Sequence, residues 1–127
     1  MKIYGIGIDI INTNRIKKSI KNKNFVKRLF SKNEIIKCNN KINESNCYAK
    51  RFAAKEAFSK AIGIGISKGL SFNEITVNNI KSGKPEILLT GKTKKFVYKI
   101  IKKKKISIYL SLSDDKPFAI ATVVVSI

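Results

Sequence analysis

Residues Ile106–Ile127 read ISIYLSLSDDKPFAIATVVVSI. Two β-branched runs, Ile106–Ser113 and Phe118–Ile127, flank Asp114-Asp115-Lys116-Pro117, a cluster of turn formers. That pattern predicts two strong antiparallel strands joined by a tight hairpin. Working outward, Ile75–Ile80 and Glu86–Thr90 flank Lys81-Ser82-Gly83-Lys84-Pro85 and predict a second hairpin. Between the hairpins, Gly91–Lys104 reads as a basic helix with Phe96, Val97, Ile100 and Ile101 on its buried side.

The first half is mostly helical. Residues 3–11 are apolar and β-branched and predict a buried strand. Residues 12–30 form a basic helical pattern with Ile16, Ile20, Phe25 and Leu29 as its apolar members. Ser31-Lys32-Asn33-Glu34 has capping-box spacing, so a new short helix starts there and runs to about Cys38. Asn39 to Asn46 is polar and reads as a loop. An alanine-rich helix follows from Cys47 to Ile62, closed by Gly63. The order β-α-α-α-β-β-α-β-β, with tight turns between neighbouring strands, predicts an α+β fold with a mainly antiparallel sheet. No repeat or linker divides the chain, so residues 1–127 are expected to form one domain.

Composition narrows the function. The chain holds 27 Lys plus Arg against 8 Asp plus Glu, a formal charge of +19, which favours anionic partners. Its 24 Lys, 22 Ile and 12 Asn also fit the bias of an A+T-rich genome, so the few acids and arginines say more than the many lysines. Histidine is absent, which excludes Ser-His-Asp and Cys-His nucleophilic sites and imidazole metal sites. Cys38 and Cys47 lack CxxC spacing and are expected to be free thiols. Apolar stretches are short and interrupted, and Asp9 falls where a signal peptide needs an apolar run; a cytoplasmic location is expected, without a membrane.

The acids mark a candidate site. On an extended strand Asp9 shares a face with Ile3, Gly5, Gly7 and Ile11. A half-buried carboxylate there needs a cation or donors, or else caps the helix beginning near Asn12; the glycines let another backbone or a ligand approach. In Arg51-Phe52-Ala53-Ala54-Lys55-Glu56-Ala57-Phe58-Ser59-Lys60, Glu56 and Lys60 project from one face beside Phe52. Glu four residues before Lys is often just a solvated pair. Here the alanines allow close packing on the sheet, which could bring Glu56 to Asp9. Two carboxylates with no His or Cys suit Mg²⁺, an ion usually shared with substrate phosphates. Lys60 suits a phosphate oxygen. Gly63-x-Gly65-x-x-x-Gly69 follows a helix rather than opening one, so it reads as a helix stop and flexible loop, not a dinucleotide motif.

These residues also resemble a known family. Gly5-Ile6-Gly7-Ile8-Asp9-Ile10, Arg15-Ile16, the block from Arg51 to Ala61, Gly63-x-Gly65-Ile66, Gly83-Lys84-Pro85, Ser111-Leu112-Ser113 and Ala119-x-Ala121 occur in the order found in holo-[acyl-carrier-protein] synthases. That family is the short group of 4′-phosphopantetheinyl transferases. The eleven-residue helix block is the specific part. The resemblance implies transfer of the 4′-phosphopantetheine arm of coenzyme A to a serine of apo acyl carrier protein, releasing adenosine 3′,5′-bisphosphate and serving fatty acid biosynthesis. It places Asp9 and Glu56 at Mg²⁺, Glu56 and Lys60 in catalysis, and Lys60 at the phosphates. Arg51, Lys84 and Pro85 fall in segments that line the coenzyme A site, and Arg15 falls at a carrier-protein contact. Lys17, Lys18 and Lys21 extend that face by charge alone. The family assembles as a homotrimer with sites between subunits.

One departure stands out: Asp114 follows Ser113 where the family usually has histidine. That histidine is dispensable, or Asp114 turns to solvent, or activity is reduced. The proton acceptor for the serine is left open between Glu56, Glu34 and a metal-bound water. Two rival readings are an inactive relative and a basic nucleic-acid-binding module. Few arginines and no aromatic interleaving argue against nucleic acid.

Overall fold

A computed structural model describes residues 1–65 and 68–127. The element order is β1 (Ile3–Asn12), α1 (Thr13–Ser19), α2 (Lys23–Leu29), α3 (Lys32–Asn39), α4 (Glu44–Ile62), a 3-10 turn (Phe72–Glu74), β2 (Ile75–Asn79), β3 (Pro85–Leu89), α5 (Gly91–Ile101), β4 (Ser107–Asp115) and β5 (Phe118–Ser126). The strands form a three-stranded antiparallel sheet in the order β1-β5-β4 and a separate β2–β3 hairpin. Both expected hairpins are present, and the α+β architecture is as the residues imply.

Helix α4 lies across the three-stranded sheet, and small residues set how closely. Gly7 pairs with Val123 and Asp9 with Ala121 in the register. A methyl group built on Gly5 or Gly7 would run into the carbonyl oxygens of Ala61 and Ala57. The glycines therefore admit the helix backbone itself. Ala119, Ala121, Val123 and Val125 of β5 and Ala53, Ala54 and Ala57 of α4 are all fully buried in this layer. The opposite face of β1 carries Ile6, Ile8 and Ile10, each about 60% exposed. The alternation expected of the strand is thus realised, with Asp9 on the helix-facing side.

Local chemistry explains the boundaries that differ from expectation. The single helix expected over 12–30 is broken, because Asn22 accepts from the backbone N–H groups of Asn24 and Phe25 and starts α2 afresh. Helix α4 begins at Glu44 rather than Cys47, since the Asn43 side chain accepts from Asn46 N. Helix α5 stops at Ile101 rather than Lys104, as Lys102 turns left-handed at φ 59°. The Ser31–Glu34 capping box forms with both of its bonds, and Gly63 closes α4 at φ 82°. The expected flexible loop and the motif residue Ile66 fall partly on 66–67, outside the described residues.

The expectation of free thiols is overturned: Cys38 and Cys47 form a disulfide, with their Cα atoms 5.4 Å apart. The early start of α4 is the reason. It brings Cys47 onto the first turns of that helix, facing the end of α3, whereas a long loop would have kept the thiols apart.

Beneath the helices sits a buried ion pair. Lys55 Nζ lies 2.6 Å from Glu34 Oε1 and donates also to the carbonyls of Phe72 and Ile75. Glu34 in turn accepts from the backbone N–H groups of Ser31 and Val77. Every polar atom of the pair is satisfied, as burial demands.

Candidate active site

The buried face of β1 and the exposed edge of α4 meet at three charged groups. Lys60 Nζ is 3.1 Å from Asp9 Oδ1 and donates to the Ile8 carbonyl at 3.0 Å. Glu56 lies one turn before Lys60 and half-buried. Burial raises its carboxyl above the usual range, the charge of Asp9 raises it further, and Lys60 offsets part of the rise. Asp9 and Glu56 are therefore electrostatically coupled, the juxtaposition expected from alanine packing. Among the described residues no third acid completes a protein-only metal cage.

Asp9 and Glu56 open into a cleft of about 300 Å³ that also receives Arg15, Ser19, Phe25 and Phe52. Phe25 and Phe52 stack with ring centroids 6.5 Å apart, giving the cleft an apolar wall beside its charges. Phe25 had read only as a core residue of a continuous helix; the break at Asn22 is what turns it to this wall. Arg15 and Lys18 are exposed on α1, and Lys21 on the turn after it. Arg15 lines the cleft, whereas Lys18 and Lys21 do not.

Two carboxylates with hard oxygen donors and mutual repulsion, one of them paired with a lysine, are a donor set that fits Mg²⁺. A dication between them would relieve the repulsion now shared with Lys60.

Arg51 lies elsewhere. It borders a second cleft of about 780 Å³, together with Lys37, Lys41, Lys50, Asn79 and Gly83. The two clefts share no lining residue. The Arg51 side chain is buried, donating from Nη1 to Cys47 O and Sγ and from Nη2 to Asn79 Oδ1 at 3.4 Å. Asn79 Oδ1 also accepts from Lys37 Nζ at 2.7 Å, and Asn79 Nδ2 donates to the Gly83 carbonyl at 2.9 Å. Asn79 thus ties Arg51 to the hairpin that carries Lys84 and Pro85, and Pro85 sits opposite it in the ladder. No sequence signal marks Asn79 or Lys37; one is among 12 asparagines, the other among 24 lysines. Burial, then the charges of Arg51 and Lys41, lower the Lys37 ammonium's pKa; the cleft lining is cationic, with Lys50 met by Asp114.

Two acids that the sequence left open find places outside the first cleft. Glu34, a candidate proton acceptor, is 1% exposed and committed to Lys55, so it cannot reach a substrate hydroxyl. Asp114 accepts from Asn46 Nδ2 at 2.6 Å and lies 3.6 Å from Lys50 Nζ. The Asn46 hydrogen bond, then Lys50, holds its carboxyl below the usual range. Asp114 remains exposed to solvent, where Asn46 and Lys50 at the start of α4 meet its charge.

Comparison with known proteins agrees with this geometry. The sequence model of the 4′-phosphopantetheinyl transferase superfamily matches residues 5–123. The holo-[acyl-carrier-protein] synthase of Pelagibacter ubique (strain HTCC1062) is 51% identical over 124 residues, covering 98% of this chain and 97% of that one. The crystal structure of the Neisseria meningitidis holo-[acyl-carrier-protein] synthase superposes with a TM-score of 0.87 at 36% identity, covering 98% and 99% of the two chains. The Helicobacter pylori enzyme, solved in complex with coenzyme A, superposes with a TM-score of 0.80 at 40% identity, covering 95% and 99%. The GIDI strand, the Arg51–Ala61 helix block and the full-length superposition make one statement together: this chain belongs to the 4′-phosphopantetheinyl transferase superfamily, among its holo-[acyl-carrier-protein] synthases.

Proposed function

We propose that the chain acts as one transferase domain that moves 4′-phosphopantetheine from coenzyme A to a serine of apo acyl carrier protein, leaving adenosine 3′,5′-bisphosphate. The observation that carries this reading is that Asp9 and Glu56 line one cleft while Lys60 is bound to Asp9. Asp9 and Glu56 would hold Mg²⁺. When bound, that ion supplies charge neutralisation and orientation at the pyrophosphate. Lys60, already poised on Asp9, neutralises oxygen charge as the bond to the leaving nucleotide breaks. Glu56, or a water held beside it, would accept the serine's proton. The nucleophile comes with the substrate, which accounts for a site lacking histidine and a reactive cysteine.

Arg15 at the cleft presents a cation to an acidic carrier protein, and the exposed Lys17, Lys18 and Lys21 add positive charge to the same helix and the turn after it. The phenylalanine wall would receive an apolar side chain of that partner. Arg51, Lys84 and Pro85 serve coenzyme A from a second place. That the two clefts share no lining residue supports a site completed by the first cleft of one copy and the Arg51 cleft of another. The exposed apolar face formed by Ile6, Ile8 and Ile10 supports assembly, since monomers rarely leave such a stripe open. A homotrimer closes that arrangement, and a cytoplasmic location suits its substrates.

Mixing subunits tests the split site. Asp9→Ala chains alone and Arg51→Ala chains alone are expected to be nearly inactive. Co-expressed in equal amounts, they should recover roughly a quarter of wild-type activity, because random assembly pairs an intact half from each chain at about one site in four. A mixture as inactive as its parents would place the whole site within a single copy.

A further inference from the structure

The Cys38–Cys47 bond lies beside the Arg51 cleft rather than in an inert part of the core. Cys38 is fully buried at the end of α3, while Cys47 is 7% exposed and lines the cleft. The bond closes a short loop whose residues Lys41, Ile42 and Asn43 form part of the cleft's rim. Arg51 Nη1 donates to Cys47 Sγ at 3.1 Å and to the Cys47 carbonyl at 3.2 Å. Arg51 Nε is buried without a partner. The nearest carboxylate influencing this guanidinium is Glu34, which Lys55 already neutralises. Among the described residues, the cleft lining includes Lys37, Lys41, Lys50 and Arg51 and no acid.

We propose that Cys38 and Cys47 form a reversible redox site whose state sets how much of the Arg51 charge is available to an anionic ligand in the cleft. In the disulfide form Arg51 meets a neutral sulfur, a weak acceptor, and its charge stays available. Reduction by a dithiol begins with its thiolate attacking Cys47 Sγ, the sulfur that lines the cleft. The Cys38–Cys47 bond breaks, Cys38 leaves with the electron pair and takes up a proton, and a mixed disulfide links Cys47 to the reductant. The reductant's second thiolate then displaces Cys47, so the reductant is oxidised to its own disulfide and two cysteine thiols remain. Arg51, with Lys37 and Lys41 lining the same cleft, favours the Cys47 thiolate, which pairs with Arg51 and withdraws charge from the cleft. Reduction also frees the rim loop from its cross-link. The link to coenzyme A binding rests on the function proposed above; the redox chemistry itself does not.

The test equilibrates the whole protein in dithiothreitol buffers of defined thiol-to-disulfide ratio, alkylates it and weighs it. The expected result is a reversible passage between no labels and two labels. Adenosine 3′,5′-bisphosphate binding is then measured by calorimetry on both forms. Reduction should weaken it roughly fivefold to tenfold at pH 8, by the neutralisation of one nearby charge in a partly screened cleft. Cys47→Ser should bind equally well with and without reductant. In Cys38→Ser the lone Cys47 should alkylate at a lower pH than an ordinary thiol, because Arg51 and Lys37 favour its thiolate. Two labels at every ratio, or equal nucleotide affinity in the two forms, would overturn the proposal. If neither form binds the nucleotide, the coenzyme A reading of the cleft fails. The redox site is then judged by label count and alkylation pH: normal values for both overturn it, and reversible labelling with early alkylation upholds it.

Discussion

Asp9→Ala and Glu56→Gln should each lower phosphopantetheine transfer by on the order of a thousandfold, the scale of losing a preorganised group at developing phosphate charge. The geometry sets that expectation. Asp9 and Glu56 are brought together by the close seating of α4 on β1, and they bear like charges, with Lys60 paired to Asp9. Either substitution leaves one carboxylate, which cannot hold a hard dication as two do. Stability should change little. Asp9 and Lys60 form a partly exposed pair, with side-chain exposures of 16% and 55%, and such pairs contribute up to about 1 kcal/mol. Removing either carboxylate also relieves repulsion felt by the other. Initial rates with saturating Mg²⁺, alongside a urea melt of each variant, separate the two effects. A variant that keeps more than a tenth of wild-type rate would show that its carboxylate is not a metal ligand.

Lys55→Met should destabilise the protein by about 3–5 kcal/mol, the usual penalty for stranding one member of a buried ion pair. Lys55 is fully buried and Glu34 nearly so, with an N–O distance of 2.6 Å. Burial pulls the Lys55 ammonium down to about 8 against the pull of Glu34, so it still carries its charge at neutral pH. The ammonium also gathers the carbonyls of Phe72 and Ile75, and it lies 5.4 Å from the Phe30 ring centroid. Truncating it leaves a buried carboxylate and two carbonyls unpaired. The double variant Lys55→Met with Glu34→Leu should recover part of the loss, though Ser31 N and Val77 N then lack their acceptor. Chemical denaturation reads this directly. A Lys55→Met loss below about 1 kcal/mol would mean that the pair is not the bolt joining α3, α4 and β2.

Several of these features were readable in the chain before any coordinates. The hairpins were legible because Asp114–Pro117 and Lys81–Pro85 concentrate turn formers between β-branched runs. Asp9 was legible as a site residue because a carboxylate among glycines on a strand is hard to explain by packing. Lys55 was not: it sits between Ala54 and Glu56 and looks like any other lysine of this lysine-rich chain. Its role depends on Glu34, 21 residues away, and on the carbonyls of a later segment. The disulfide was hidden for a related reason. Its formation depends on where α4 starts, and an asparagine cap four residues upstream of the expected boundary settles that. Asn79 likewise gains its role only when the β2–β3 hairpin meets α4. The hairpins, the capping box and the order of elements were read correctly, while the helix boundaries set by Asn22, Asn43 and Lys102 were not. What depends on pairing distant side chains in the interior was not legible either.

The most direct test of the central claim is the intact mass of an apo acyl carrier protein incubated with this protein, coenzyme A and Mg²⁺, with a chelator-treated control. The account predicts a mass gain of one phosphopantetheine group that disappears with the chelator, showing also that Asp114 is tolerated in place of histidine. An unchanged carrier mass, under conditions where a related holo-[acyl-carrier-protein] synthase modifies the same carrier, would contradict it.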